Sequence, residues 1–234
     1  MTEELFRQDA YLTSCEATVV AVEEDGIILD RTVFYPEGGG QPGDAGMLRT
    51  ASGDIAISDT RKSDDGILHV VVNGTDHGLS VGDTVEMSID WGRRFAHMRM
   101  HTLLHLVCAA VDGEISGAAV GAEKSRVDFN LPDTKLDKEE LTDRLNELIA
   151  ADHPVSARWI TDEELAAQPE LIKTMTVRPP TGQGHVRLME IDGIDLQPCG
   201  GTHVRSLAEI GRVRVSKIEN KGRHNRRVNV VFDA

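Results

Sequence analysis

Between Ala17 and Asp90 the apolar positions come in short alternating runs: ATVVAV, GIILD, TVFYP, DIAISD, GILHVVV and DTVEMSID. Turn-forming EEDG, PEGGGQPGDAG, SDDG and NGTDHG separate them. A period of two bounded by glycine marks strands, and six such runs with no helix between them predict a small β-barrel or closed sandwich. At Trp91 the period changes. WGRRFAHMRMHTLLHLVCAAV has only an early glycine and apolar residues at helical intervals, so it is read as one long helix. A strand-like AAVGAEKSRVDFNL follows, then DKEELTDRLNELIAA, with Asp137 as its cap and Leu141, Leu145, Leu148 and Ile149 as one stripe. Thr161 and Glu164 form a capping box before a short helix that Pro169 ends. VRLMEIDGIDLQ, IGRVRVSKIEN and RRVNVVFD read as strands of an antiparallel sheet. The expected fold is α+β, with a β-barrel over residues 1–90 and a second domain of helices and antiparallel sheet over 91–234.

Composition narrows the class. No apolar run approaches a bilayer-spanning length, and the acidic N-terminus lacks the basic-then-apolar order of a signal peptide. Three distant cysteines, Cys15, Cys108 and Cys199, do not form a disulfide framework. A cytoplasmic protein without a membrane partner is expected. The formal charge of −14 opposes RNA binding, which needs Lys and Arg. Residues 205–234 reverse the sign, with 8 bases against 3 acids. Such a tail can be an electrostatic footprint for nucleic acid, but taken alone it reads first as a solvated strand edge protected by charge. The chain has 7 Lys against 18 Arg and is rich in Asp, a composition that keeps a protein soluble at high salt.

His101 and His105 stand four apart on the predicted helix, so their imidazoles project from one face. Cys199 and His203 bracket Gly200-Gly201-Thr202, where two glycines permit a sharp bend. Together they form a four-ligand N/S set suited to tetrahedral Zn²⁺. Either half alone is weak, because His97 and His101 share the same spacing and Cys108 reads as a small buried hydrophobe. Thr102, Leu103 and Leu104 lie between the histidines, so the helix-borne Glu of an H-E-x-x-H peptidase is missing. GGGQPGD (38–44) lacks the G-K-[ST] ending of a phosphate loop and reads first as a turn.

HTLLH (101–105) with PCGGTH (198–203) resembles the editing domain of alanyl-tRNA synthetase, and more closely the free-standing AlaX editing proteins. DRTVFYPEGGGQPGDAG (30–46), RVDF (126–129) and EIGRVRVSKIENKGRHNRRV (209–228) carry the same resemblance. It implies a hydrolase that deacylates seryl-tRNA(Ala), with glycyl-tRNA(Ala) a second candidate substrate, one Zn²⁺ per chain and no DNA partner. It implies His101, His105, Cys199 and His203 as metal ligands, with His97 a spectator. It implies Thr32 and Gln41 as catalytic-pocket residues, Thr32 to tell seryl from alanyl groups and Gln41 at or near a pocket between domains. Gly38, Gly39 and Gly40 are implied to let the acceptor end approach bare backbone, and Lys217, Lys221, Arg226 and Arg227 to face RNA. A synthetic site built for alanine cannot strongly reject serine, so a second hydrolytic site is chemically warranted. Two other readings remain: a non-catalytic, zinc-stabilised RNA-binding module, and a zinc hydrolase of small esters.

Overall fold

In the computed structural model, which describes residues 2–72, 77–131, 135–175 and 184–233, most of the alternating N-terminal runs close on one another. After β1 (Glu3–Glu4) and α1 (Leu5–Gln8) come β2 (Ser14–Val22), β3 (Gly26–Leu29), β4 (Arg31–Thr32), β5 (Gly46–Thr50), β6 (Gly53–Ser63), β7 (Gly66–Val71) and β8 (Thr84–Ile89). Six of these form a closed antiparallel barrel in the order β2-β3-β7-β6-β5-β8. Alternate side chains point inward, so Val19, Ile27, Leu29, Leu48, Ile57, Val85 and Met87 fill one apolar core.

The barrel departs from the predicted strands in one place. TVFYP is not a barrel strand: only Thr32 lies in β4, and Val33 to Tyr35 run as buried irregular chain. The strand expected there is instead β5, which begins at the end of the glycine-rich stretch. Irregular backbone can be buried only if its polar groups find partners. Here Phe34 N–H donates to Thr32 Oγ1 at 2.9 Å, and Tyr35 N–H donates to Asp44 Oδ2 at 2.7 Å. Arg94 donates through Nη2 to Val33 O (2.6 Å) and through Nε to Asp44 Oδ2 (2.8 Å), with both charged side chains fully buried. Part of the expected NGTDHG turn, residues 73–76, lies outside the described residues.

The long helix forms as α2 (Trp91–Ala110). It leads into β9 (Glu114–Ala119), β10 (Lys124–Asn130), α3 (Lys138–Ala151), β11 (Val155–Thr161), α4 (Asp162–Ala166), β12 (His185–Ile191), β13 (Asp195–Pro198), β14 (Val213–Asn220) and β15 (Asn225–Phe232). Asp137 caps α3 by accepting from the amides of Glu139 and Glu140, and Leu141, Leu145 and Ile149 are its buried stripe. The Thr161–Glu164 capping box forms as expected, but α4 stops at Ala166, and Pro169 opens a 3-10 turn instead of closing the helix. The expected single sheet is two, β14-β15-β10-β9 and β11-β12-β13. Strand β11 was hidden from pattern reading because Ser156 to Trp159 are all exposed and show no alternation. The fold is α+β. By contacts the chain divides into Met1–His97 and Met98–Ala234, the division falling inside α2. No helix among the described residues is long and apolar enough to cross a membrane.

Removing one partner of a buried ion pair strands the other charge, at a cost of about 3–5 kcal/mol. Arg94→Met should therefore lower unfolding free energy by that amount in urea denaturation. A loss under about 1 kcal/mol, the range of solvated pairs, would contradict a buried role for Arg94 and Asp44.

Candidate functional site

The second unit brings all four N/S candidates together. His101 and His105 lie one turn apart on α2, and both are buried. The loop after β13 supplies Cys199 and His203. One ligand atom from each of these residues falls within 4.8 Å of the others. Cys199 Sγ stands 3.5 Å from His101 Nε2 and 3.3 Å from His203 Nε2. Zinc bonds of about 2.3 Å to sulfur and 2.0–2.1 Å to nitrogen, at a tetrahedral angle, place S and N about 3.6 Å apart. The observed separations fit that polyhedron, so the cluster could bind a metal ion.

The loop is not bent by left-handed glycines. Neither Gly200 nor Gly201 is among the glycines with positive φ. A side chain holds the bend instead: Arg187 Nη1 donates to the carbonyls of Cys199 and Gly201, each at 2.9 Å. The Gly201 amide donates to Cys199 Sγ at 3.5 Å.

Hydrogen bonds fix which imidazole nitrogen faces the centre. His105 Nδ1 lies 2.9 Å from Asp195 Oδ2, so Nδ1–H donates to the carboxylate and Nε2 is the nitrogen left for the cluster. Lys173 Nζ (2.6 Å) and Gln197 Nε2 (2.8 Å) also donate to Asp195. Thr102 Oγ1 donates to Met98 O at 3.0 Å and accepts from Val204 N–H, which leaves it an acceptor for His203 Nδ1–H at 3.1 Å. His203 Nε2 then also points inward.

Charge follows the same design. Burial opposes ionisation of Cys199, but the imidazoles of His101 and His203 outweigh it and hold the thiol well below its ordinary range. Burial, aided by neighbouring His101, pushes His203 down to about 3, so it is neutral at pH 7. Burial would also depress His105, yet Asp195 and Cys199 lift it to about 9. Burial raises Asp195, and the bonds from His105 and Lys173 more than reverse this, to about 2.

Pattern reading missed Asp195, Gln197, Thr102, Arg187 and Lys173. A signal existed for two of them: Asp195 and Gln197 precede Cys199 at intervals of two, the period that puts them on one face of a strand.

The other candidates lie elsewhere. Thr32 is fully buried in the barrel unit. Burial holds His69 near pKa 4, so it is neutral; its Nδ1 bonds Ile27 O (3.0 Å), and its Nε2 accepts the Thr32 hydroxyl proton (2.8 Å). Gln41 is buried, and the reciprocal backbone bonds between Gly38 and Gln41 close a tight turn. Gly39 and Gly40 have φ of 58° and 80°, the left-handed pair required there. The turn reading of GGGQ is the observed one. Asp44, at the end of that motif, is the partner of Arg94. Among the basic candidates, Lys217 and Lys221 flank Glu219 at 3.1 and 3.4 Å. Arg227 makes a two-pronged pair with Asp128 at 2.7 and 2.9 Å, and Arg226 donates to the carbonyls of Gly222, Arg223 and Asn225.

Two family models match, "tRNA synthetases class II (A)" over residues 7–93 and "Threonyl and Alanyl tRNA synthetase second additional domain" over residues 186–229. The chain is 39% identical to an alanyl-tRNA editing protein AlaX-M of Methanosarcina barkeri, the match covering 97% of this chain and 98% of the relative. The AlaX-M of Saccharolobus solfataricus is 37% identical over the same shares. The chain belongs to the AlaX-M family of alanyl-tRNA editing proteins. It is also 34% identical to an alanine–tRNA ligase of Saccharolobus islandicus over 93% of its own length but 25% of the ligase. The matched region is thus one quarter of that ligase.

Outer partners of metal-bound histidines contribute 10- to 100-fold in metal affinity. Asp195→Asn should weaken divalent-metal binding at the cluster by that factor in chelator competition, with the far-ultraviolet circular dichroism unchanged. Wild-type affinity would remove Asp195 from the site.

Proposed function

We propose that this protein hydrolyses the ester of seryl-tRNA(Ala), acting in trans on tRNA charged elsewhere. The observation that carries the reading is the buried His101–His105–Cys199–His203 cluster in a chain of the AlaX-M family. Zinc is the metal that its donor set favours: three imidazoles and a cysteine held toward thiolate, at tetrahedral spacing. Held by His101, His105, Cys199 and His203, it would supply a fixed positive charge to the site. Four protein ligands would fill its tetrahedral shell, which favours a positioning role over generation of hydroxide. The aminoacyl ester is already reactive, and orientation provides much of the remaining acceleration.

The protein's own groups do the selecting. Thr32 gives its proton to His69, so toward any further partner its oxygen can only accept. A serine hydroxyl supplies the matching donor, and alanine supplies none. Lys217 and Lys221 are solvent-exposed and pair, among the described residues, with Glu219, a weak surface interaction that a phosphate can replace.

Purified protein should release serine from mischarged tRNA(Ala) and lose the activity to a zinc chelator. Binding without turnover would leave an RNA-binding module, and turnover of free serine esters at equal rates would leave a general esterase. Thr32→Val should reduce the preference for seryl over alanyl ester while keeping zinc content. It should also cost about 1–3 kcal/mol of stability, because the Phe34 amide and His69 Nε2 lose their partner. A stability loss with unchanged selectivity would make Thr32 purely structural.

A further inference from the structure

In the sheet β11-β12-β13, β11 is an edge strand, and its Trp159 pairs directly with Arg187 of β12. On the other side of β12, Leu188 pairs with Pro198, and the Cys199 amide donates to Arg187 O at 3.1 Å. The pairing therefore continues one step beyond β13 and makes a transverse row: Trp159, Arg187, Cys199. Directly opposed residues of antiparallel strands share a face. With strands 4.7–4.9 Å apart, the Cα atoms at the ends of this row lie about 10 Å apart.

The two faces of the sheet differ. Val186 and Leu188, with Ile160 and Leu196 packed against them, close over Leu165 and Leu171 as an apolar core. The opposite face carries the row, and farther along it Asp195 and Gln197 meet His105. Trp159 is 54% exposed, and His185, on the same face by the strand period, is exposed beside it. A lone exposed aromatic needs no explanation. One held in register with the Cys199 loop, through the arginine that clamps that loop, is placed for use.

Resting on the function proposed above, we infer that Trp159 is a stacking platform for the terminal adenine of the tRNA acceptor end. The scissile ester hangs from the ribose of that same nucleoside. With the ester at the cluster, the adenine falls within the 10 Å that separate Cys199 from Trp159. An indole presents a flat apolar face to a base, and loss of one such stack weakens binding by about tenfold. His185 adds a hydrogen-bonding group beside the stacked base for its sugar or phosphate. Arg187 is committed to the Cys199 and Gly201 carbonyls, so the row links base binding to the loop that carries a ligand.

The chain has two tryptophans, so Trp91→Phe leaves Trp159 as the sole reporter. Its fluorescence should be quenched by the trinucleotide CCA and not by the dinucleotide CC. In deacylation of seryl-tRNA(Ala), Trp159→Ala should raise KM about tenfold with kcat nearly unchanged, and Trp159→Phe should restore KM. Wild-type KM in Trp159→Ala, or equal quenching by CC, overturns the platform while leaving the editing function standing. So does a dimer in light scattering that Trp159→Ala dissociates without altering KM, which would make the edge strand a contact between copies. A wild-type protein that releases no serine overturns the functional reading instead, and CCA quenching then decides the platform alone.

Discussion

A buried carboxylate governs the candidate site. Asp195 has its charge inside the second unit, where an uncompensated charge would cost several kcal/mol. Three donors compensate it: His105 on α2, Lys173 near β9 and Gln197 on its own strand. That requirement ties the histidine helix to the strand leading into Cys199. It also turns His105 so that its free nitrogen faces the other ligands. The site is therefore built from the outside inward, with the hydrogen-bonded shell orienting the imidazoles before any metal is bound.

The same principle organises the barrel unit. Asp44 and Arg94 together take up the irregular Val33–Tyr35 segment, and His69 takes up the Thr32 hydroxyl. A stretch that resembles a pocket motif is thus first a solution to a backbone problem. Its glycines make a turn, and its aspartate neutralises a buried arginine. Thr32 carries a structural and a proposed selective role through one oxygen atom, because that oxygen keeps acceptor capacity after its proton is spent.

The acidic surface and the RNA reading meet on the sheet β14-β15-β10-β9. Its basic side chains are partly neutralised in place, Arg126 and Arg227 sharing Asp128 and Lys217 and Lys221 sharing Glu219. Electrostatic attraction from this face is accordingly weaker than the raw count of bases in residues 205–234 implies. The stacking proposed for the exposed indole of Trp159 does not depend on charge.

Much of this was legible in the amino-acid order. The barrel, the long helix, the Asp137 and Thr161 caps and the four N/S residues follow from periods of two and 3.6 and from ligand spacing, all local or chemical properties. The order of residues did not show that TVFYP is irregular, that β11 exists, or that the C-terminal strands form two sheets. Those outcomes depend on partners far along the chain: Asp44 and Arg94 for TVFYP, and β12 for an exposed strand with no alternation of its own. Nor could spacing distinguish His97 from His105 as the second helical ligand, since both stand four residues from His101. Tertiary structure chose His105, because the carboxylate that fixes its tautomer lies 90 residues away and reaches it only in the folded unit.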